Sequence, residues 1–264
     1  MDAIILAGGE IPSGLRESLG AAILESAHGE RALLPLQGRP AIAWLLDSLQ
    51  GVQGIERITV VGQKKTLELL PQWLPDAIGV TAQKTLSANV IAGIDAAQSS
   101  LVLIMTCDIP LATPQTWNDF LAKVSTGNWE AAYPIVRSET MESTFPGGKR
   151  TYATVTDGRF TGGNAFVLPR ACRPALEKVL ETAYNARKNP LKLAGLLGIQ
   201  FIIKATTKRL SIADVEKKIS QVLNCRAGAV EMQDAAIAFD IDKATDYKLV
   251  ESTFAKRGKI NKKD

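Results

Sequence analysis

The chain is poor in the residue types that build histidine- or cysteine-based sites. Its 264 residues include one histidine, His28, and three cysteines, Cys107, Cys172 and Cys225, which lie far apart and form no CxxC pair. The single histidine argues against a histidine-rich metal site, and the cysteine spacing argues against a zinc ribbon or a disulfide framework. We therefore expect reduced thiols and a cytoplasmic protein.

Long apolar runs and a strong net charge are also lacking. No run approaches the ~20 apolar residues of a membrane-spanning helix, and the N-terminal run is too short for a signal peptide and has no basic flank. The net charge of +4 suits contact with small anions but is too small to argue for nucleic acid. We expect neither membrane association nor nucleic-acid binding.

Two familiar phosphate-binding motifs are absent. No GxGxxG follows the first apolar run, which excludes the dinucleotide-binding fingerprint. Gly9 and Gly14 match the glycine spacing of a P-loop, but Leu15 and Arg16 stand where that motif requires Lys and Ser or Thr. A phosphate site near this loop must therefore be of another kind.

The chain does contain an alternating pattern of short apolar runs and amphipathic segments up to about residue 125. This pattern predicts an α/β fold with a mostly parallel sheet and helices on both faces. We expect strands at 3–7, 55–62 and 100–110, and helices at 39–51, 67–74, 86–98 and 113–124, with Ser87 and Thr113 as N-caps.

The second half of the chain has a different pattern. Strand-like segments at 129–136 and 149–168, with a turn at Asp157-Gly158, are followed by helical segments at 173–187, 189–198 and 211–224, a strand at 235–242 and a helix at 243–258. Because there is no repeat or low-complexity linker, we predict one domain over residues 1–250, with a helical elaboration at about 173–224. The basic residues 251–264 are expected to form a flexible tail.

Three predicted strands end in residues suited to chemistry. Ligands of open α/β sheets bind outside the carboxyl ends of the strands. Gly8-Gly9 follows the first strand, and its backbone N–H groups could form an anion-binding concavity, since glycine permits positive φ and close approach. Asp108 ends the most apolar strand and could hold Mg²⁺. Asp240 and Asp242 are spaced to point to one side of a strand. Each feature also has a purely structural interpretation. Gly8-Gly9 could form an ordinary turn, Asp108 could cap a turn, and the last two aspartates could be a pair on a surface strand.

Together these residues resemble a known family. The segments "LAGG", "ALLPLQGRP", "CDIPL", "GGN" and "FDIDKATDY" are similar to those of molybdenum-cofactor guanylyltransferase-like nucleotidyltransferases, which are related to methylerythritol-phosphate cytidylyltransferases. The resemblance spans Met1 to about Val250. It implies a Rossmann-like, GT-A-type fold. It also implies Mg²⁺-dependent transfer of a nucleoside monophosphate from a nucleoside triphosphate, GTP or CTP, to a small phosphorylated or polar acceptor, with release of pyrophosphate.

The resemblance also implies roles for individual residues. It implies nucleotide contacts by Leu6, Ala7, Gly8, Gly9, Ser87 and Asn89, acceptor-side contacts by Gly163 and Asn164, metal contacts by Asp108 with Asp240 or Asp242, and catalytic roles for Asp108, Arg31 and Arg16. The loop after Gly9 is longer than in the family, so Arg16 comes late, and Arg31 stands where the family has a phosphate-binding lysine. Arginine can bind phosphate bidentately but does not simply replace lysine.

Several alternatives remain open at this point. A catalytically lapsed nucleotide-binding protein would explain the altered loop, and a glycosyltransferase would use the same aspartates for the metal of a sugar nucleotide. The helices at 173–224 either cover the acceptor site or form a homodimer contact. Lys149-Arg150 either meets an anionic acceptor or forms a solvated basic turn.

Overall fold

One large sheet organises the molecule. The computed structural model describes residues 1–186 and 198–260; the predicted helix at 189–198 lies outside the described residues except for Gly198. The strands are β1 Asp2–Ala7, β2 Pro35–Leu36, β3 Arg39–Pro40, β4 Arg57–Gly62, β5 Ile78–Thr81, β6 Leu101–Thr106, β7 Ala131–Arg137, β8 Ala153–Val155, β9 Gly158–Gly162, β10 Ala165–Pro169 and β11 Ala227–Glu231.

The sheet is mostly parallel, as predicted. Its order is β5-β4-β1-β6-β10-β7-β9-β8, and β11 pairs with β7; β2 and β3 form a separate small hairpin. Strand β1 pairs in parallel with β4 and β6, and β11 pairs in parallel with β7. Strand β10 runs antiparallel to both β6 and β7. The carboxyl ends of β1, β6, β7 and β11 therefore meet at one edge of the sheet, where a ligand is expected.

Strands β9 and β10 form one long strand with a bulge. Gly162 pairs with Ile135, and Val167 pairs with Ala132, so between these pairs four residues of one strand face two of the other. The two extra residues leave the ladder as a bulge. The N–H of Gly163 donates to the carbonyl of Pro134 in β7 at 2.7 Å, whereas the N–H of Asn164 donates outside the sheet to the carbonyl of Ile237 at 2.9 Å.

Helices cover both faces of the sheet. They are α1 Ser13–Arg16, α2 Ala21–Ser26, α3 Ala41–Leu49, α4 Lys64–Leu69, α5 Leu86–Ala96, α6 Pro114–Thr126, α7 Ser138–Thr144, α8 Arg173–Ala186, α9 Ile199–Thr206, α10 Ile212–Leu223 and α11 Ala244–Ile260. One core cluster contains Leu45 of α3, Trp117 of α6 and Phe254 of α11, and the other contains Ile94 of α5 packed against Leu176 of α8. The predicted α/β fold is confirmed.

Helix starts follow local capping chemistry. Thr113 caps α6 in a reciprocal pair with Thr116, with proline at the first helical position. Ser211 caps α10 in a reciprocal pair with Asp214. The predicted cap at Ser87 is wrong, because Thr85 Oγ1 accepts from the N–H of Ala88 at 3.1 Å and is the N-cap of α5.

The predicted strand at 235–242 is also wrong. Residues Ala235–Ala238 form a 3₁₀ turn, in which the Asp234 carboxylate accepts from the N–H of Ala236 at 3.0 Å. The position beside β7 is occupied instead by β11, which the sequence pattern did not predict. A short apolar run is compatible with either a strand or a helical turn. Here β11 occupies the edge beside β7, so residues 235–242 do not pair with the sheet.

The C-terminal residues differ from the predicted flexible tail. Helix α11 continues to Ile260, so residues 251–260 are helical, while 261–264 lie outside the described residues. Phe254 is 8% exposed and stacks on Trp44 with ring centroids 4.3 Å apart. Burial of this aromatic ring holds the helix onto the domain. The domain boundary at residue 250 stays a prediction.

Candidate active site

The loop after β1 returns to the end of that strand. The N–H of Arg31 donates to the carbonyl of Gly9 at 3.0 Å, which brings Arg31 to the edge of the sheet. The buried Glu30 carboxylate accepts from the backbone N–H groups of Lys65 and Thr66 at 3.0 and 2.8 Å. Because Glu30 satisfies two orphan donors at the start of α4, it anchors the long loop to that helix.

Asp108 follows β6 at the same edge. Its side chain is 6% exposed, and Oδ2 lies 2.8 Å from Nη1 of Arg31. The other oxygen, Oδ1, is buried without a hydrogen-bond partner among the described residues. A buried carboxylate oxygen without a partner is costly, so this atom is suited to receive a cation or a donor from a ligand.

Asp240 and Asp242 join Asp108 to form what we term the acid cluster (Asp108, Asp240 and Asp242). Each offers an oxygen, and these three atoms lie within 4.8 Å of one another. The N–H of Ile241 donates to the carbonyl of Asp108 at 3.1 Å, which fastens the two segments together. The aspartates thus reach the site from an irregular segment after the 3₁₀ turn rather than from the predicted strand.

The carboxylates of the acid cluster repel one another. Burial, followed by the carboxylates of Asp108 and Asp242, raises the pKa of Asp240 from its usual 3.8 to about 6. A divalent cation would offset this repulsion. Carboxylate oxygens are the ligands that Mg²⁺ prefers, so the donor set fits that ion.

Arg31 supplies positive charge at the cluster. Its guanidinium pairs with Asp108 and Asp242 and donates to the carbonyl of Ile241 at 2.6 Å. Burial would lower the pKa of Arg31, but the Asp108 carboxylate leads the charges that raise it above its usual value. Arg31 contacts Oδ2 of Asp108, so the buried Oδ1 beside it keeps no hydrogen-bond partner among the described residues.

Arg150 and Asp246 form a second layer behind the acid cluster. Arg150, 7% exposed, donates to the carbonyl of Asp240 at 2.7 Å and lies 3.3 Å from Oδ1 of Asp246. Its guanidinium also stacks 4.1 Å from the centre of the Phe239 ring. Asp246 accepts from the N–H groups of Asp242 and Lys243 at 3.2 and 3.0 Å, so it caps the start of α11.

Lys149 and Arg150 therefore separate in the structure. Lys149 is exposed, which agrees with a solvated turn, whereas Arg150 is buried against the segment that carries the acid cluster. In the sequence, both residues simply precede a predicted hairpin. That position does not indicate which of the two is buried.

The two glycines after β1 serve different purposes. Neither adopts positive φ, so that part of the expectation is wrong. A Cβ on Gly8 would lie 2.7 Å from Cβ of Ala82 and 2.9 Å from Nδ2 of Asn89, so close packing requires glycine there. A Cβ on Gly9 would meet no atom within 4 Å. Only Gly9 leaves open space into which a ligand could approach the backbone.

The predicted nucleotide-side residues lie around Gly8. Leu6 and Ala7 are buried in β1. Asn89 is buried, and its Oδ1 accepts from the N–H of Gln83 at 2.5 Å, so it supports the loop before α5. Ser87 is half-buried, and its hydroxyl lies 3.1 Å from that of Thr85.

The predicted acceptor-side residues form the bulge between β9 and β10. The carbonyl of Asn164 accepts from the N–H of Thr106 at 3.0 Å, which places the bulge beside the end of β6. A Cβ on Gly163 would lie 2.7 Å from Cγ of Pro134 and 3.2 Å from the carbonyl oxygen of Ile237. The bulge thus packs tightly against the turn that leads into the acid cluster.

Arg16 lies outside this constellation. Its guanidinium pairs with Glu10 at 3.7 Å and is about half-exposed. The structure does not bring it into contact with the acid cluster, and its catalytic role stays a prediction without support from the geometry.

Comparison with known proteins identifies the family. The model of the MobA-like NTP transferase domain matches residues 3–190. The chain belongs to this family. The resemblance predicted from the sequence is thereby confirmed, and the protein is a nucleotidyltransferase by family. A search of curated proteins found no matching sequence.

Solved structures agree with this assignment. A hypothetical transferase from Thermus thermophilus is 31% identical, with a TM-score of 0.74 over 93% of this chain and 98% of that one. A 4-diphosphocytidyl-2C-methyl-D-erythritol synthase from Anaerococcus prevotii is 14% identical, with a TM-score of 0.60 over 96% and 95%. The molybdopterin-guanine dinucleotide biosynthesis protein A of Archaeoglobus fulgidus is 13% identical, with a TM-score of 0.53 over 97% and 100%. The last two show the shared fold.

The described helices also bear on the membrane prediction. Within residues 1–186 and 198–260, none combines the length and the apolar character needed to cross a bilayer.

Proposed function

We propose that this nucleotidyltransferase uses Mg²⁺ to move a nucleoside monophosphate from a nucleoside triphosphate to a small phosphorylated or polar acceptor. An acceptor oxygen forms a bond to the α-phosphorus, the bond from the α-phosphorus to its leaving oxygen breaks, and pyrophosphate departs. The observation that supports this most directly is the acid cluster with the buried, unpartnered Oδ1 of Asp108 at the carboxyl end of β6.

The acid cluster, Arg31 and Gly9 would have different roles in binding the nucleotide. The acid cluster would hold Mg²⁺, and the ion when bound neutralises charge on the phosphates and orients them. Arg31 pairs with Oδ2 of Asp108. Its guanidinium would also contact phosphate oxygens of a nucleotide bound at the same edge of the sheet. The open backbone at Gly9 would lie against the nucleotide. Catalysis by positioning and electrostatics needs no histidine, which agrees with the composition.

A thermal-shift experiment with the four ribonucleoside triphosphates, with and without Mg²⁺, tests the proposal. The variants are wild type, Asp108→Asn and Asp76→Asn, the last being an exposed aspartate in the loop before β5 that serves as a matched control. A ligand at about 100 times its Kd adds roughly 3 kcal/mol to apparent stability. We expect one triphosphate to give a Mg²⁺-dependent shift that Asp108→Asn abolishes and Asp76→Asn retains.

Other results would redirect the proposal. Absence of a shift with every triphosphate, or a shift that ignores both Mg²⁺ and Asp108, contradicts it. Nucleoside-diphosphate sugars are tested beside the triphosphates, and a shift given only by such a sugar would favour the glycosyltransferase alternative. If a triphosphate binds with Mg²⁺ but no pyrophosphate is released when an acceptor is also bound, the result would favour a catalytically lapsed protein. The identity of the shifting triphosphate tests the expectation of GTP or CTP.

A further inference from the structure

An apolar cavity of about 440 Å³ lies on one face of the sheet. It separates the half of the sheet formed by β7, β9, β10 and β11 from helices α8 and α10. Its volume falls in the range of small-molecule pockets, roughly 300–1,000 Å³.

The cavity exists because the sheet presents short side chains there. Its floor includes Ala131 of β7, Gly162 of β9, and Ala227 and Ala229 of β11. Strands more often carry β-branched or aromatic residues at half-buried positions, and such residues would fill the space under the helices. The roof is formed by larger apolar side chains, Leu176 and Val179 of α8 and Val215, Ile219 and Val222 of α10.

Polar contacts hold the roof in place. The N–H of Ala229 donates to Oε1 of Glu216 at 2.8 Å, which ties α10 to the edge strand. The N–H of Ile212 donates to Oδ2 of Asp157 at 3.0 Å, which ties the start of α10 to the β8–β9 turn. The charge of Glu216 is thus engaged with the backbone, and the rest of the described lining favours an apolar occupant.

One end of the cavity reaches the bulge between β9 and β10. Tyr133 is 44% exposed and lines the cavity. Its hydroxyl would lie 2.1 Å from a Cβ on Gly162, so the phenol packs directly over that glycine. The next residue, Gly163, packs against the carbonyl of Ile237, three residues before Asp240. The bulge therefore joins the lining of the cavity, at Gly162, to the segment that carries two of the three carboxylates.

We propose that this cavity binds the apolar chain of the acceptor, which is then a phosphorylated alcohol with an alkyl-like tail. The tail lies between the small residues of β7 and β11 and the apolar face of α10, and the polar end points towards the acid cluster. This inference rests on the proposed function, because it assigns the acceptor class of the same reaction. The helical elaboration then covers the acceptor site instead of forming a homodimer contact.

Binding of n-alkyl phosphates, from ethyl to decyl, tests the inference by calorimetry without nucleotide or Mg²⁺. Affinity should rise about fourfold for each added methylene until the cavity is full, the fold-change equivalent to about 0.8 kcal/mol. Ala229→Leu adds bulk at the floor and should remove this dependence on chain length. Ala122→Leu adds the same bulk at an exposed position of α6, on the other face of the sheet, and should retain it.

A second variant guards against misfolding. Ile219→Asn places a polar group in the lining and should weaken the dependence on chain length while the cooperative melting transition is kept. A flat series in wild type, or an unchanged series in both Ala229→Leu and Ile219→Asn, overturns the inference. The inference is also overturned if affinity does not depend on chain length and the wild type forms a dimer that Ala229→Leu disrupts. The cavity would then lie in an interface between two copies of the chain.

The two proposals fail separately. A Mg²⁺-dependent triphosphate shift without chain-length dependence removes the acceptor assignment and leaves the proposed function. Chain-length dependence without any triphosphate shift leaves an apolar binding site and removes the transferase reaction.

Discussion

Replacing Arg150 by methionine should cost this protein far more stability than an ordinary loss of a surface charge. Arg150 is 7% exposed, and its partner Asp246 is 1% exposed. Methionine keeps an apolar stem against the Phe239 ring but removes the charge and the donor to the carbonyl of Asp240. Asp246 then keeps its backbone donors but loses its cationic partner.

The magnitude follows from burial. Removing one partner of a buried ion pair costs about 3–5 kcal/mol, because the remaining charge stays desolvated. Arg159 is the matched control: it also pairs with a carboxylate, Glu142 at 3.9 Å, and stacks on an aromatic ring, Tyr152, but it is 54% exposed. Exposed pairs contribute about 0–1 kcal/mol, so Arg159→Met should cost less than about 1 kcal/mol.

Urea unfolding at neutral pH without Mg²⁺, followed by tryptophan fluorescence, measures both losses by linear extrapolation. Equal losses for the two variants, or a loss below about 1 kcal/mol for Arg150→Met, would refute the reasoning. Because Arg150 fixes the backbone at Asp240, its loss should also weaken the Mg²⁺-dependent triphosphate shift, and Arg159→Met should not.

The remaining predictions concern the two ends of β1. Burial alone would raise the pKa of Asp2, but hydrogen bonds, led by that from Ser99, lower it from 3.8 to about 2. Asp2→Asn should therefore cost about 2 kcal/mol near pH 7, and pH-dependent unfolding should show this difference shrinking as pH falls from about 4 towards 2. Gly8→Ala places a Cβ 2.7 Å from that of Ala82 and should cost about 1–3 kcal/mol in urea unfolding. Gly9→Ala meets no neighbour, so it should leave stability unchanged but weaken the triphosphate shift; equal effects of the two glycine variants would contradict the distinction.

Much of the first half of the fold could be predicted because its signals are local. Strands β1, β4 and β6 are mostly apolar, as buried parallel strands are, and each ends at a recognisable break. The start of α6 follows from threonine and proline at adjacent positions. These features depend on neighbours within a few residues, so no knowledge of distant segments is needed.

The second half was harder because short segments compete for the same place. Residues 235–242 have the composition of a strand, yet β11 at Ala227–Glu231 fills the edge beside β7. The sequence of β11 is rich in small residues and carries a weak strand signal. The buried state of Arg150 was equally hidden, because its partners lie about 90 residues further along the chain.

The sequence by itself determined the family, the alternation of strands and helices, and the candidate residues at the strand ends, since each depends on residue type and local order. Only the tertiary structure decided that Asp108, Asp240 and Asp242 share one site, with Arg31 holding one oxygen of Asp108 and the other left unpartnered. It also decided that the small residues of β7 and β11 lie opposite α10 and leave a cavity. Distance, burial and empty volume arise from segments far apart in the chain, and folding alone brings those segments together.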